Sequence, residues 1–175
     1  IASGAAPPIT CDITSVTIDG SGSSTGSEYG YQWTGPGVVS GGTTLNPTVN
    51  QPGTYTLTIT NNDNGCEQQT TVTVQDLTQL PNITATSGPL TCAQTSIIIN
   101  SNGSSSGPQY DYQWTKNNGN IVSGSDSPNP VVDETGTYTL IIENTSTGCE
   151  NMISVNVGID TISPFASAGP DLQIN

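Results

Sequence analysis

The sequence predicts an all-β chain that contains two tandem β-sandwiches of about seven strands each. Three observations support this fold class. Segments such as residues 54–60 alternate apolar and polar side chains with the two-residue period of a half-buried strand. The 20 Gly and 12 Pro residues punctuate such segments, and we find no convincing amphipathic helix. Finally, one set of motifs occurs twice along the 175 residues.

The repeat is defined by motifs that recur at a nearly constant offset. Residues 29–34 recur as 110–115, and residues 53–57 recur as 136–140 at a slightly larger offset. The difference comes from two added residues in one turn of the second repeat, where a sandwich tolerates insertions. Residues 166–175 resemble the lead-in to each repeat, so the sequence predicts that the first strand of a third repeat begins there.

Turn signals divide the first repeat into seven predicted strands. Gly-rich, Pro-Gly and Asn-rich clusters separate short runs of Val, Ile, Thr and Tyr, as in all-β sandwiches. The predicted strands are residues 6–11, 15–19, 29–34, 37–40, 43–49, 54–61 and 66–75.

Four aromatic residues refine the fold class to an immunoglobulin-like sandwich. Trp33 and Trp114 lie on the third strand, where this fold commonly buries a Trp. Tyr55 and Tyr138 follow a Gly at the start of the sixth strand, where a tyrosine corner would lie. We therefore predict that all four are core residues rather than a platform for sugar stacking.

The motifs that carry a family resemblance are residues 14–24, the run 31–33 and the run 52–60. Together they resemble a PKD-type immunoglobulin-like repeat. With Asn64-Gly65-Cys66 added, the chain is similar to the cysteine-bearing repeats of Bacteroidetes surface adhesins, including gliding adhesins. The resemblance implies an extracellular, cell-surface setting. It implies little about function, because such modules serve as stalks, adhesive arrays and enzyme accessories alike.

Charge excludes several classes of partner. The chain has 14 acidic residues, no His, and Lys116 as its one cation, which gives a net charge of −13. It cannot neutralise phosphates, so we expect no nucleic-acid binding and no attraction to anionic membranes. Its longest apolar runs are far too short to insert across a membrane.

The four cysteines predict disulfides and an oxidising compartment, because each Gly-rich repeat carries two Cys and no zinc-binding pattern. One possible pairing lies within repeats, Cys11–Cys66 and Cys92–Cys149. If the PKD resemblance holds, however, Cys11 lies at the bottom of a sandwich and Cys66 at the top, separated by roughly 26 Å of strand. The alternative joins Cys11 to Cys149 across the repeats and leaves Cys66 and Cys92 to pair with repeats elsewhere. Sequence leaves both pairings open.

Other chemistry has little support in the sequence. Without His, Arg or a recognisable nucleophile arrangement, we expect no enzyme activity and no resident cofactor. Calcium is the most plausible ligand, at residues 61–65, although a plain polar hairpin turn is favoured there. Thr161 lies in an Asp-Thr-Ile pattern that resembles Bacteroidetes O-glycosylation acceptors, so it is a predicted modification site.

We predict repeats at residues 1–76 and 82–159, followed by a connector and a further first strand at 160–175. The predicted function is a stiff, acidic spacer in an extracellular bacterial adhesin or filament, with neighbouring repeats of the same or identical chains as partners. The alternative is a module that binds glycans or a surface. Strand donation by residues 165–175 to a neighbouring chain is a third possibility.

Overall fold

The computed structural model describes residues 4–167, and every regular element in that range is a β-strand. No helix among the described residues is long and apolar enough to cross a membrane. The predicted terminal strand falls mainly at residues 168–175, which lie outside the described range.

The first repeat folds into short strands joined by tight turns. Its elements are β1 (Ile9–Thr10), β2 (Val16–Thr17), β3 (Tyr29–Thr34), β4 (Val38–Ser40), β5 (Thr48–Val49), β6 (Gly53–Asn61), β7 (Glu67–Val74) and β8 (Asp76–Leu77).

These strands form the two sheets of an immunoglobulin-like sandwich. One sheet has the order β2-β5-β4 and the other the order β3-β6-β7. The leading segment first forms an isolated antiparallel bridge between Ala5 and Asp19, which lies two residues after β2. It then pairs in parallel with β8, where Ile9 lies opposite Asp76. The two three-stranded sheets therefore have the strand order of an immunoglobulin-like sandwich, with β8 following the last strand and β1 paired to it in parallel.

The core of the first sandwich is built on β6, the longest strand. Its alternation buries Tyr55, Leu57 and Ile59 on one face, as the two-residue period requires. Trp33 on β3 lies opposite Leu57 in register and is 2% exposed. Its indole N–H donates to the Thr44 carbonyl at 3.0 Å, so the ring is buried without an unpaired donor.

The second repeat has the same topology. Its elements are β9 (Leu90–Thr91), β10 (Ile97–Ile98), β11 (Tyr110–Asn117), β12 (Ile121–Ser123), β13 (Val131–Val132), β14 (Gly136–Asn144), β15 (Cys149–Val157) and β16 (Ile159–Asp160). The sheets have the orders β10-β13-β12 and β11-β14-β15, and β9 pairs in parallel with β16. Trp114 is 3% exposed, and its indole N–H donates to Ser127 O at 3.1 Å.

The predicted all-β sandwich class is thus correct, but three strands are shorter than predicted: 6–11 is reduced to Ile9–Thr10, 15–19 to Val16–Thr17, and 43–49 changes most. The sequence predicts a strand over residues 43–49, whereas β5 covers only Thr48–Val49. The preceding residues form a turn, closed by the Thr44 N–H on the Gly41 carbonyl at 2.9 Å. Pro47 ends that turn and is fully buried. The alternation of polar and apolar residues in the sequence was not enough to distinguish this turn from a strand.

Contacts between residues group the chain into two compact units. The first combines the chain up to Asn82 with Ser105–Asp111 and Ile142–Asn151, and the second contains the remaining described residues. One end of the second repeat therefore contacts the first repeat closely enough to be grouped with it. The repeat boundaries at 76 and 82 stay a prediction.

A tyrosine hydroxyl locks the turn before each long core strand. The Tyr55 hydroxyl donates to Gln51 O, four residues upstream, at 2.6 Å. The Tyr138 hydroxyl donates to Glu134 O at 2.7 Å and accepts the Asn120 N–H at 3.0 Å. Burial raises the pKa of Tyr138, because the phenolate would lose its hydration. Both positions form the tyrosine corner of this fold.

We predict that Tyr55→Phe destabilises the chain by about 1–3 kcal/mol, because the Gln51 carbonyl loses its partner while the ring stays packed. Chemical denaturation measures the change. Tyr29→Phe is the matched control: this ring packs against the same core, and its hydroxyl has no hydrogen bond among the described residues. Equal effects of the two substitutions would contradict a specific role for the corner.

Candidate functional site

The structure contains one disulfide, which joins Cys11 to Cys149 across 138 residues of sequence, among the residues described. The two Cα atoms are 5.0 Å apart, within the usual range for a disulfide. Of the two pairings that sequence left open, the structure has the one between repeats. The pairing within repeats is wrong, because Cys66 and Cys92 are exposed free thiols.

A short turn presents Cys11. The Thr10 N–H donates to Ile13 O, and the Thr10 hydroxyl accepts the Ile13 N–H, both at 3.0 Å. The N–H groups of Cys11 and Asp12, inside this turn, are not used by the turn itself and point away from it. Cys11 N–H and Asp12 N–H both donate to the Thr147 carbonyl, at 3.0 and 3.3 Å. Backbone hydrogen bonds therefore accompany the covalent bond.

The partner is the hairpin that precedes β15. The Asn144 carbonyl accepts the N–H groups of Thr147 and Gly148, at 3.0 and 2.8 Å. Gly148 has a φ of 66°, which favours glycine. A Cβ there would also collide with the Asp12 carboxylate. The backbone conformation therefore favours glycine, and a larger residue would also have to displace the Asp12 side chain.

The end of β8 and the connector after it pack on the disulfide. Cys149 Sγ lies 3.6 Å from the Leu77 carbonyl oxygen, and Cys11 Sγ lies 3.7 Å from that of Thr78. These are packing contacts, because a disulfide has no S–H to donate. The connector is itself held by Asp76, whose carboxylate accepts the Thr78 hydroxyl and N–H. These bonds to Thr78 lower the pKa of Asp76.

Two polar contacts fix the far end of the connector to the same hairpin region. The Asn151 side-chain amide donates to the Pro81 carbonyl at 2.9 Å. Asn82 exchanges two bonds with Ser105: its N–H donates to Ser105 Oγ, and the Ser105 N–H donates to its carbonyl, both at 2.9 Å. We define the junction as the Cys11 turn, the connector 77–82 and the hairpin 144–151, together with Ser105.

One polar atom of the junction has no partner. The Thr147 hydroxyl oxygen is buried and makes no hydrogen bond within the described structure, although the carbonyl of the same residue accepts two. A buried hydroxyl without a partner costs free energy. The junction is therefore held by backbone groups and by sulfur, and this side chain contributes only its bulk.

The loop considered for calcium is a closed turn. Its side-chain oxygens accept backbone N–H groups: Asn61 Oδ1 from Asp63, and Asn64 Oδ1 from Cys66, each at 2.9 Å. No group of three acidic, Cys or His side chains able to hold a metal ion occurs in the described part of the chain.

The other predicted site residue, Thr161, is exposed in the segment after β16. The adjacent Asp160 carboxylate accepts the Ile162 N–H at 3.2 Å. Glycosylation of Thr161 stays a prediction, which intact-mass measurement of the native chain tests.

Sequence reasoning identified the two joined cysteines but missed the groups around them. The Thr147 carbonyl and the Asn151 and Ser105 side chains carry no motif. Their roles depend on which loops meet. The one available signal was the glycine before each second cysteine, Gly65 and Gly148.

Comparisons with known proteins support the fold. No family model and no curated protein matches this chain. Among solved structures, it is similar to the three N-terminal domains of the bacteriophage RB49 outer capsid protein Hoc. The identity is 14% and the TM-score 0.51, over 91% of this chain and 59% of that one.

Two further similarities have lower TM-scores. Titin domains I67–I69 match at 13% identity and a TM-score of 0.48, over 91% of this chain and 64% of that one. The eight N-terminal immunoglobulin domains of the cell adhesion molecule DSCAM match at 11% and 0.45, over 90% and 24%. The chain spans less than two thirds of each of these three structures. Tandem immunoglobulin-like domains are the class of protein that the fold defines.

We predict that Cys11→Ser lowers the melting temperature and abolishes its dependence on reductant. Closing a loop of this length contributes about 5 kcal/mol in a chain-entropy model. Thermal unfolding with and without dithiothreitol gives the comparison. Cys66→Ser is the matched control and should retain the wild-type response. A reductant-insensitive wild type would contradict the prediction.

We also predict that Thr147→Val is neutral or stabilises the chain by about 1 kcal/mol, because it replaces an unpaired buried hydroxyl with a methyl group of similar shape. Thr145→Val is the contrast, since the Thr145 hydroxyl donates to Gln109 O at 3.1 Å. Denaturant unfolding of both variants decides the matter. A clear loss of stability with Thr147→Val would show that its hydroxyl has a partner.

Proposed function

We propose that this chain is a structural repeat unit of an extracellular bacterial adhesin or filament, in which it acts as a stiff acidic spacer. The observation that carries the proposal is the disulfide between Cys11 and Cys149. A crosslink within one sandwich would stabilise that sandwich alone. A crosslink between repeats instead restricts how the repeats can separate.

The disulfide changes the route that force takes through the chain. Tension applied at the two ends passes from Cys11 directly to Cys149, so the intervening residues carry no load while the bond is intact. Those residues include all the strands from β2 to β14. Pulling therefore cannot extend the strands between the two cysteines, and only β1, β15, β16 and the terminal segments lie outside the closed loop.

The connector adds to the restraint at the same place. Pro81 and the bonds of Asn82 and Asn151 hold a segment that would otherwise act as a flexible linker. The net charge of −13 gives the chain an acidic surface, which keeps neighbouring molecules apart in solution. These properties suit a spacer better than a compact binding domain.

Several features support the cellular setting. A disulfide of this kind persists in oxidising, extracytoplasmic environments. The resemblance to PKD-type repeats of Bacteroidetes surface adhesins points to the same location. A non-enzymatic role fits the lack of His and Arg and the absence of a clustered acidic or thiol site among residues 4–167.

Glycan binding stays the alternative function, and the aromatic residues favour it less. Both Trp and the corner residues Tyr55 and Tyr138 are buried. Phe165 is the one fully exposed aromatic side chain of the described residues, at 92%. Aromatic residues that stack on sugars need exposed ring faces. If this chain bound a glycan on an array, the binding would therefore have to depend on Phe165 or on polar loops.

Single-molecule pulling from both ends tests the mechanical proposal. We predict that the oxidised chain shows no unfolding of the segment between Cys11 and Cys149. Addition of dithiothreitol should release about 480 Å of contour length, at roughly 3.5 Å for each of the 138 residues of separation.

Two variants complete the experiment. Cys11→Ser should extend fully without reductant, whereas the double variant Cys66→Ser/Cys92→Ser should behave as the oxidised wild type. Full extension of the oxidised wild type would refute the proposed load path.

A further inference from the structure

The two free cysteines occupy the same repeat positions as the two that are joined. Cys66 is the first-repeat counterpart of Cys149, and Cys92 is the second-repeat counterpart of Cys11. The chain therefore contains one complete junction and both halves of a second one. Each free half is exposed.

The Cys66 hairpin has the conformation of the Cys149 hairpin. The Gly65 N–H donates to Asn61 O at 2.7 Å, as Gly148 does to Asn144. Gly65 has a φ of 72°, against 66° for Gly148. The difference lies in what covers them: Gly148 is pressed against Asp12, whereas a Cβ at Gly65 would meet nothing within 4 Å. The Cys66 hairpin thus has the conformation of the junction hairpin, and no described residue covers its glycine.

The Cys92 turn likewise has the conformation of the Cys11 turn. The Thr91 N–H donates to Gln94 O, and the Thr91 hydroxyl accepts the Gln94 N–H, both at 3.0 Å. The amides that follow, of Cys92 and Ala93, have no acceptor among the described residues. Their counterparts at Cys11 and Asp12 both bind the Thr147 carbonyl.

In each pairing of turn and hairpin, only one of two equivalent positions carries a carboxylate. In the closed junction, Asp12 faces a hairpin that contains Ser146. In the open halves, the turn carries Ala93 at the position of Asp12, and the hairpin carries Asp63 at the position of Ser146. Joining the open halves would place a neutral residue beside an acidic hairpin and would avoid a repulsion between carboxylates.

We propose that Cys92 of one copy of this chain forms a disulfide with Cys66 of a second copy, through a junction built like that of Cys11 and Cys149. The backbone carbonyl of Asn64 in the second copy accepts the N–H groups of Cys92 and Ala93, and Ala93 packs on Gly65. The inference deepens the proposed function, on which it rests, because it names the partner and the bond that extend the spacer.

The bond forms by thiol–disulfide exchange with a small disulfide oxidant. The thiolate of one cysteine attacks glutathione disulfide and releases one glutathione, which leaves a mixed disulfide. The thiolate of the second copy attacks the protein sulfur of that mixed disulfide and releases the second glutathione. Two protein thiols are oxidised, one glutathione disulfide is reduced to two glutathione molecules, and the protons of the protein thiols pass to those products.

The test incubates the full chain with glutathione disulfide and follows the products on non-reducing gels. Wild type should form a ladder of covalent oligomers. Cys66→Ser and Cys92→Ser alone should form at most slow dimers, while an equimolar mixture of the two should couple at least about tenfold faster and stop at the dimer, since docking raises the effective thiol concentration. Peptide mapping should find Cys66 linked to Cys92.

Gly65→Asn separates docking from random collision. Asn tolerates the positive φ, but its side chain fills the space that Ala93 would occupy. The mixture assay is repeated with Gly65→Asn added to the Cys92→Ser chain, which supplies Cys66. Coupling should slow about tenfold, while the rate at which a small maleimide labels Cys66 stays unchanged.

Three results would overturn the proposal: no ladder, coupling of the single variants as fast as the mixture, or a Cys66–Cys92 link within one chain. None of them affects the pulling experiment on single chains, which depends only on Cys11 and Cys149. Failure here is therefore distinguishable from failure of the spacer function.

Discussion

The 5.0 Å between the Cα atoms of Cys11 and Cys149 is the constraint on which the rest of the structure depends. It requires the first turn of one repeat to meet the last hairpin of the next. Gly148, the Thr147 carbonyl and the connector lie where these segments meet. A sandwich stabilises itself by burying Tyr, Leu and Trp side chains, but sulfur and backbone groups determine how one sandwich is attached to another.

The two repeats have equivalent cores, and they differ at their ends. Tyr55 and Tyr138 lock the same corner, and both Trp side chains donate to the carbonyl of an equivalent turn. The second cysteines differ sharply, because Cys149 is fully buried in its junction and Cys66 is exposed. Identical local conformations with unequal burial are expected when an array repeats one contact and only some of the contacts are filled.

Sequence was sufficient for the fold and insufficient for the junction. The alternation in residues 54–60 and the doubled motifs predicted the sandwiches, because side-chain period and repetition are properties of sequence alone. The pairing of Cys11 stayed open, since it depends on which loops meet in space. The Thr147 carbonyl was invisible for a related reason: any residue can supply a backbone acceptor. Residues 43–47 were mistaken for strand because a Thr-rich turn and a polar strand have similar composition.

The central claim is that the covalent link runs between the repeats. Peptide mapping of the native chain, with free thiols alkylated before non-reducing digestion, tests it most directly. The account predicts one linked peptide pair that contains Cys11 and Cys149. A linked pair that contains Cys11 and Cys66 would contradict it.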